Sequence, residues 1–199
     1  MKKLLSLFLL LSCLLGPVSA EDGSRLWLRQ STDAHAQITA PRQSPTLNIA
    51  VRELKQAWKG LPVTLVLKKD KQLSSEGFRI RQVNGKLTVT SPSETGLLYA
   101  AYHLIRLQEM QNFGKPSETD QEITENPAYD LRILNHWDNL DRSIERGYAG
   151  KSLWNWEELP GTLSDRYEAY ARANASIGIN ATVLNLSLIH ISEPTRLGM

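Results

Sequence analysis

Residues 129–158 read YDLRILNHWDNLDRSIERGYAGKSLWNWEE, and this stretch decides the fold. Its opening, Tyr129 to Asn135, alternates apolar and polar residues and reads as a strand. After that the periodicity stops. The loop that follows holds three of the five tryptophans, Trp137, Trp154 and Trp156, and five carboxylates, Asp138, Asp141, Glu145, Glu157 and Glu158. Loops are mostly built from small polar residues. One so rich in Trp, Tyr, Arg and Glu either packs under something or binds something.

The residues downstream bear on that choice. Ser164 to Ile177 has helical character: Ser164 or Thr162 can cap it, Asp165 suits the first turn, and Gly178 suits the position just past the end. Ile179 to Leu184 reads as a second strand. Strand, helix and strand at this spacing make a βαβ unit with parallel strands and a right-handed crossover. The aromatic and acidic loop leaves the C-terminal end of the first strand, the edge where ligands bind in parallel α/β architectures.

Two readings of the loop stay open on composition. Trp154 and Trp156 can lid the unit or plug an interface, with Asp141/Arg142 and Glu145/Arg146 as solvated pairs of little energetic weight. Alternatively the loop holds a sugar. Flat aromatics stack on pyranose faces, carboxylates and Arg bond hydroxyls, and an Arg can clamp an acidic sugar's carboxylate bidentately. Metal binding fits poorly, because His136 and Asp138 have no second histidine at ligand spacing.

Upstream lies a separate pattern. Arg25 to Leu28 is a short strand candidate. Thr46 to Trp58 places Leu47, Val51, Leu54 and Trp58 on one helical face, and Gly60 stops that helix. Val63 to Leu67 is a compact strand. Phe78 to Val83 and Lys86 to Thr90 alternate and are joined by Asn84-Gly85, the signature of a type I′ hairpin. Ser93 to Met110 forms a second helix with Leu97, Ala100, Ala101, Leu104, Ile105 and Gln108 along one face. The expected architecture is a small α/β domain with a mixed sheet and helices on one face. His103 and His35 lack metal-ligating partners, and His103 reads as a packing residue. Residues 111–128 are polar and contain Pro, and read as the connection between domains.

Composition is that of an ordinary globular chain, 41% hydrophobic and 22% charged over 199 residues. The formal net charge of +2 comes from Lys2 and Lys3; without residues 1–20 the balance is 21 basic against 21 acidic. A neutral chain gives no support for nucleic-acid or anionic-membrane partners. Residues 1–20 read as an export signal: Lys2 and Lys3, an apolar run from Leu4 to Leu15, a Gly16-Pro17 break, and Val18-Ser19-Ala20 as the cleavage site. A rival reading lipidates Cys13, the only cysteine. Under either, the protein is exported, to the periplasm or the medium.

Three runs together resemble the alpha-glucuronidases of glycoside hydrolase family 67: Asn135-His136-Trp137-Asp138-Asn139, Ile144-Glu145-Arg146-Gly147-Tyr148-Ala149-Gly150 and Asn174-Ala175-Ser176-Ile177-Gly178-Ile179-Asn180. The upstream Asn84-Gly85 hairpin followed by Gly96-Leu97-Leu98-Tyr99-Ala100-Ala101-Tyr102 resembles the small domain that precedes the barrel in these enzymes and in beta-hexosaminidases. The resemblance covers Glu21 to Asn185. It implies a small α/β domain over 21–126, followed over 127–185 by the first βαβ unit of a truncated TIM (β/α)8 barrel. It also implies hydrolysis, with inversion, of the α-1,2 link between (4-O-methyl)glucuronic acid and xylose in glucuronoxylo-oligosaccharides, without a cofactor or metal. By resemblance Glu145 and Arg146 contact the uronic acid, and Trp137, Asp138 and Tyr148 shape the pocket. The family's catalytic carboxylates lie on later strands, so none is expected here. A homodimer of the full-length protein is compatible with the family. Where the family often has Gly after Asp141, this chain has Arg142.

Leu186 to Arg196, LSLIHISEPTR, resembles the in-frame translation of a transposon-type sequencing adapter. Residues 186–199 are therefore read as a non-native tail and the chain as an inactive N-terminal fragment. Two barrel strands keep open edges, so the second unit is expected to be loosely held. The readings from other classes are a non-enzymatic glycan-binding protein and a different glycosidase sharing the small domain.

Overall fold

The computed structural model describes residues 28, 31, 36–111, 120–139, 141–144, 151–159, 161 and 163–186. Residues 1–20, read as an export signal, all but Leu28 of the Arg25–Leu28 strand candidate, His35 and residues 187–199 lie outside these.

The small domain is organised by its hairpin. Asn84 and Gly85 take φ of 49° and 70°, the two positive values that a type I′ turn requires. They join β3 (Phe78–Val83) to β4 (Lys86–Ser91) in an antiparallel ladder that pairs Ile80 with Val89. β2 (Val63–Leu67) runs parallel to β4, and β1 (Ile38–Thr39) runs parallel to β2. The first described strand is thus Ile38–Thr39.

The stretch 111–128 corrects a sequence expectation. It contains a fifth strand, β5 (Gln121–Glu125), paired antiparallel to β3. The sheet order is β1-β2-β4-β3-β5. β5 is an edge strand with only Ile123 packed on the core, so it lacks the apolar alternation of its neighbours. Cross-strand charge holds it instead: Glu122 pairs with Arg79 at 3.2 Å and Arg81 at 2.6 Å.

Alternation buries one face of the sheet. Val63, Leu65, Phe78, Ile80, Leu87 and Val89 point to it, and two helices cover it. α1 (Pro45–Ala57) starts at Ser44, whose hydroxyl accepts from Leu47 N at 3.2 Å, with Pro45 just inside the start. It buries Leu47, Ala50, Leu54 and Ala57. Trp58 follows as the cap, fully buried, its indole N–H donating to Leu61 O at 2.8 Å. α2 (Glu94–Gln111) is capped by Ser93, whose Oγ accepts from Gly96 N at 3.0 Å. It buries Leu97, Ala100, Ala101, Leu104 and Ile105. Gly96 is required by close approach. A Cβ there would meet Ser91 Oγ and lie 2.9 Å from Gly77 O.

The second unit is β6 (Ile133–Asp138), α3 (Asp165–Ser176) and β7 (Ala181–Leu186), with β6 and β7 parallel. Both strands lie further along the chain than their periodicity suggests. Asn180 fixes the register. Its side chain accepts from Arg132 N at 2.9 Å and donates to Asp130 O at 2.7 Å, so pairing begins only at Ile133 and Ala181. α3 is capped by Ser164 and closed by Gly178 at φ 78°. Gly178 N donates to Ala175 O and Ile179 N to Asn174 O, the paired bonds of a Schellman motif.

The two units meet along the far side of α2. A cleft of about 340 Å³ there is lined by residues of both, including Phe78, His103, Arg106, Arg132 and Ile177. The two arginines cap the C-terminal end of α3 from outside: Arg106 donates to Ser176 O at 3.2 Å and Arg132 to Gly178 O at 2.5 Å. Arg106 also donates to His103 Nδ1 at 2.7 Å, a bond that needs a neutral imidazole. Burial, reinforced by the Arg106 charge, pushes His103 down to about 4. In the unfolded chain it titrates near 6.5. The unfolded state therefore binds the extra proton between these values. The His103 contribution is fully present above about pH 6.5 and is lost as pH falls to about 4. Allowing for solvent screening of a half-buried group, the loss is about 2 kcal/mol. Urea titrations from pH 7 to 4 should show this slope and should show it reduced in His103→Gln; equal slopes would contradict the assignment.

Candidate functional site

The C-terminal end of β6 places Trp137 and Asp138 on opposite sides of a two-stranded sheet. Asp138 shares a side with His136, which faces α3. The His136 imidazole shares a 2.5 Å hydrogen bond with the Tyr170 hydroxyl of α3. Trp137 shares the other side with Ile133, Asn135 and Val183. Trp137 is 47% exposed and Asp138 4%.

Asp138 thus turns inward, under the loop. It accepts from Ser152 Oγ at 2.7 Å, and Ser152 Oγ accepts from Trp154 N at 2.9 Å. This relay joins the end of β6 to the return of the loop. The outgoing chain makes a turn in which Arg142 N donates to Asn139 O at 2.9 Å and Asn139 N to Ser143 O at 2.9 Å. Asp141 accepts from Ser143 N and Oγ within that turn. Ser143 pairs with Lys151, and Ser152 N donates to Arg142 O at 2.8 Å, so the ends of the excursion lie side by side. Glu145, Arg146 and Tyr148 fall between those ends and lie outside the described residues.

Arg142 has φ of 70°, the left-handed region that favours glycine. The backbone here needs what a Gly would supply without strain, and Arg142 also leaves its buried Nε without a partner. Arg142→Gly is expected to raise stability by about 0.5–1 kcal/mol, less the weak bond its guanidinium makes to Ser152 O at 3.2 Å. Thermal unfolding checks this, and a lowered midpoint would contradict it.

The other loop aromatics divide sharply. Trp154 is buried and stacks on Tyr167 of α3, with centroids 5.0 Å apart and planes 9° from parallel. His136 and Tyr170 meet it edge-on at 5.6 and 5.4 Å. For Trp154 the packing reading holds. Glu158 is held by Asn155 Nδ2 at 2.8 Å and by the Tyr167 hydroxyl at 3.2 Å. These bonds, Asn155 foremost, outweigh desolvation and lower its pKa, and Arg166 adds to the effect. Sequence reasoning passed over Ser152, Tyr167 and Tyr170. Tyr167 and Tyr170 sit three residues apart on the α3 face toward β6, a spacing that could have flagged them.

Among the described residues, Trp137 is the aromatic open at the rim, next to the loop whose base is pinned by Asp138 and Ser152. Such a site can offer one stacking face to a flat, polar ligand.

Residues 112–191 match the glycosyl hydrolase family 67 middle domain; the match continues past Asn185 into the stretch read as a tail. Alpha-glucuronidase A of Aspergillus tubingensis is 31% identical over 89% of this chain and 25% of its own length. A probable alpha-glucuronidase A of Aspergillus niger is 32% identical over 91% of this chain, again 25% of its own length. The chain therefore spans about a quarter of the curated relatives it matches. In structure, it resembles a GH138 enzyme targeting pectin rhamnogalacturonan II, with a TM-score of 0.55 at 16% identity over 74% of this chain and 18% of that one. This likeness shows the fold alone.

Proposed function

We propose that the chain forms the small domain and the first pocket wall of an exported alpha-glucuronidase acting on glucuronoxylo-oligosaccharides. The observation that supports this most is the position of Trp137 and Asp138, at the C-terminal end of a parallel strand inside the family 67 match. In this reading 21–126 is the small domain, 127–185 opens a (β/α)8 barrel, and 1–20 is a removable leader. Trp137 offers its face to a sugar ring. Arg146 pairs bidentately with the uronic carboxylate, and Glu145 bonds a ring hydroxyl. Tyr148 closes the pocket side. Asp138 acts one step back, holding the loop through Ser152.

The reaction is hydrolysis with inversion. A carboxylic acid gives its proton to the glycosidic oxygen as the anomeric carbon–oxygen bond breaks. A carboxylate on the opposite face takes a proton from the water that attacks. Two such groups stand about 6.5–9.5 Å apart to leave room for that water. Among the described rim residues Asp138 is committed to Ser152 and Glu158 to Asn155 and Tyr167. The family resemblance places both catalytic groups on later barrel strands, and on that reading the 199-residue chain is expected to be inactive. Incubation with an α-1,2-linked 4-O-methylglucuronosyl xylo-oligosaccharide should release no uronic acid. Turnover would overturn the placement of the catalytic groups.

A further inference from the structure

The seam between the two units differs in kind from the interior of either. Every buried member of the main hydrophobic core belongs to the small domain. From the βαβ unit, among the described residues, Ala175 alone packs against that core. The βαβ unit has its own aromatic cluster of His136, Trp154, Tyr167 and Tyr170. Two separately packed centres are thus joined by a layer in which polar contacts dominate.

Besides the Arg106 bond to Ser176 O and an exposed Arg52–Glu168 pair at 3.4 Å, those contacts gather at two points. At the first, Glu53 of α1 is 2% exposed and is gripped by Arg172 of α3. Arg172 Nε donates to both carboxylate oxygens at 2.9 and 3.0 Å, and Nη2 donates at 2.8 Å. Tyr102 lies buried beside the pair: burial, and next the Glu53 charge, push its hydroxyl pKa up. At the second, Glu76 accepts from Arg132 Nη2 at 2.5 Å and from Asn180 Nδ2 at 3.2 Å, at the N-terminal ends of β6 and β7.

We propose that the Glu53–Arg172 pair, with the Glu76–Arg132 pair as its second point, is a polar lock at which the βαβ unit undocks from the small domain as a body. The lock thereby sets where the β6 rim stands. A polar seam between separately packed centres behaves like a transient interface, and relative motion is its default. A buried ion pair adds little net stability over an apolar contact, yet removing one partner strands a charge. It therefore fixes one docking geometry and penalises others. Each fastening joins residues far apart in sequence, and the connection from Asn126 to Arg132, outside any strand or helix, supplies the hinge. Glu53, Tyr102 and Arg172 are positioning residues. They touch no ligand in this account and act on Trp137 through α3 and β6.

Hydrogen exchange on the 199-residue chain tests this, because an undocking step and global unfolding leave different patterns. In Glu53→Gln, amides of 165–186 should exchange roughly tenfold faster or more, while β3 and β4 amides stay within about twofold of wild type. Arg172→Lys, which keeps the charge but loses the fork, should show the same pattern more weakly and serves if Glu53→Gln fails to fold. The exchanged pair Glu53→Arg/Arg172→Glu should recover part of the protection. Equal acceleration in both units would overturn the proposal, since it would report ordinary loss of global stability. So would unchanged exchange in 165–186 in both single variants.

Discussion

Trp58→Ala is expected to lower the unfolding free energy of the small domain by about 3–5 kcal/mol. Trp58 is fully buried at the point where α1 ends and the chain turns toward β2. Its ring fills the space among α1, α2 and the sheet, so truncation leaves a cavity that its neighbours close only in part. Its N–H also serves Leu61 O at 2.8 Å, and losing that bond leaves a carbonyl short of a partner. Domains of this size are stable by about 5–15 kcal/mol, so the variant sits near the folding limit. Trp58→Phe keeps most of the apolar volume and should cost about 1–2 kcal/mol. Urea unfolding followed by circular dichroism checks both. A Trp58→Ala midpoint equal to wild type would contradict the packing.

Asp138→Ala is expected to destabilise the βαβ unit by about 2–3 kcal/mol, acting on the loop before any ligand is considered. It removes a buried charged acceptor, and Ser152 Oγ then has only its bond from Trp154 N. Trp154 lies beside that relay, so its fluorescence should shift toward that of exposed indole at lower urea. Asp138→Asn retains an acceptor oxygen and should cost about half as much. An Asp138→Ala variant with wild-type urea dependence of fluorescence would show that the relay does not pin the loop.

Much of this fold was legible because single residues impose steric demands. Asn84-Gly85 is one case, since few pairs take two positive φ angles. Gly178 closing α3 is another. The helices were legible from the spacing of Leu47, Leu54 and Trp58, and from Leu97 through Ile105. β5 was not, because an edge strand held by Glu122 against Arg79 and Arg81 looks like a polar connector. The start of β6 was misread because Tyr129, Leu131 and Ile133 alternate. Pairing nevertheless waits for Ile133, where the hold of Asn180 on Arg132 N and Asp130 O ends.

The site was legible in outline only. Composition marked the loop after β6 but could not separate an open tryptophan from a plugging one. That distinction rests on α3, whose Tyr167 captures Trp154 and leaves Trp137 at the rim. Nor did sequence show Asp138 turned beneath the loop. A strand's alternation sets the side on which each residue lies, and the side of α3 was known only once His136 was seen against Tyr170.

The most direct test of the central claim uses the source gene read through to the length of the Aspergillus relatives. Proton NMR would follow its product with an α-1,2-linked 4-O-methylglucuronosyl xylo-oligosaccharide. If the claim holds, uronic acid is released first as the β anomer, with kcat/KM lowered roughly 100-fold or more in Arg146→Ala. No release of uronic acid, release first as the α anomer, or an Arg146→Ala enzyme as active as wild type would contradict it.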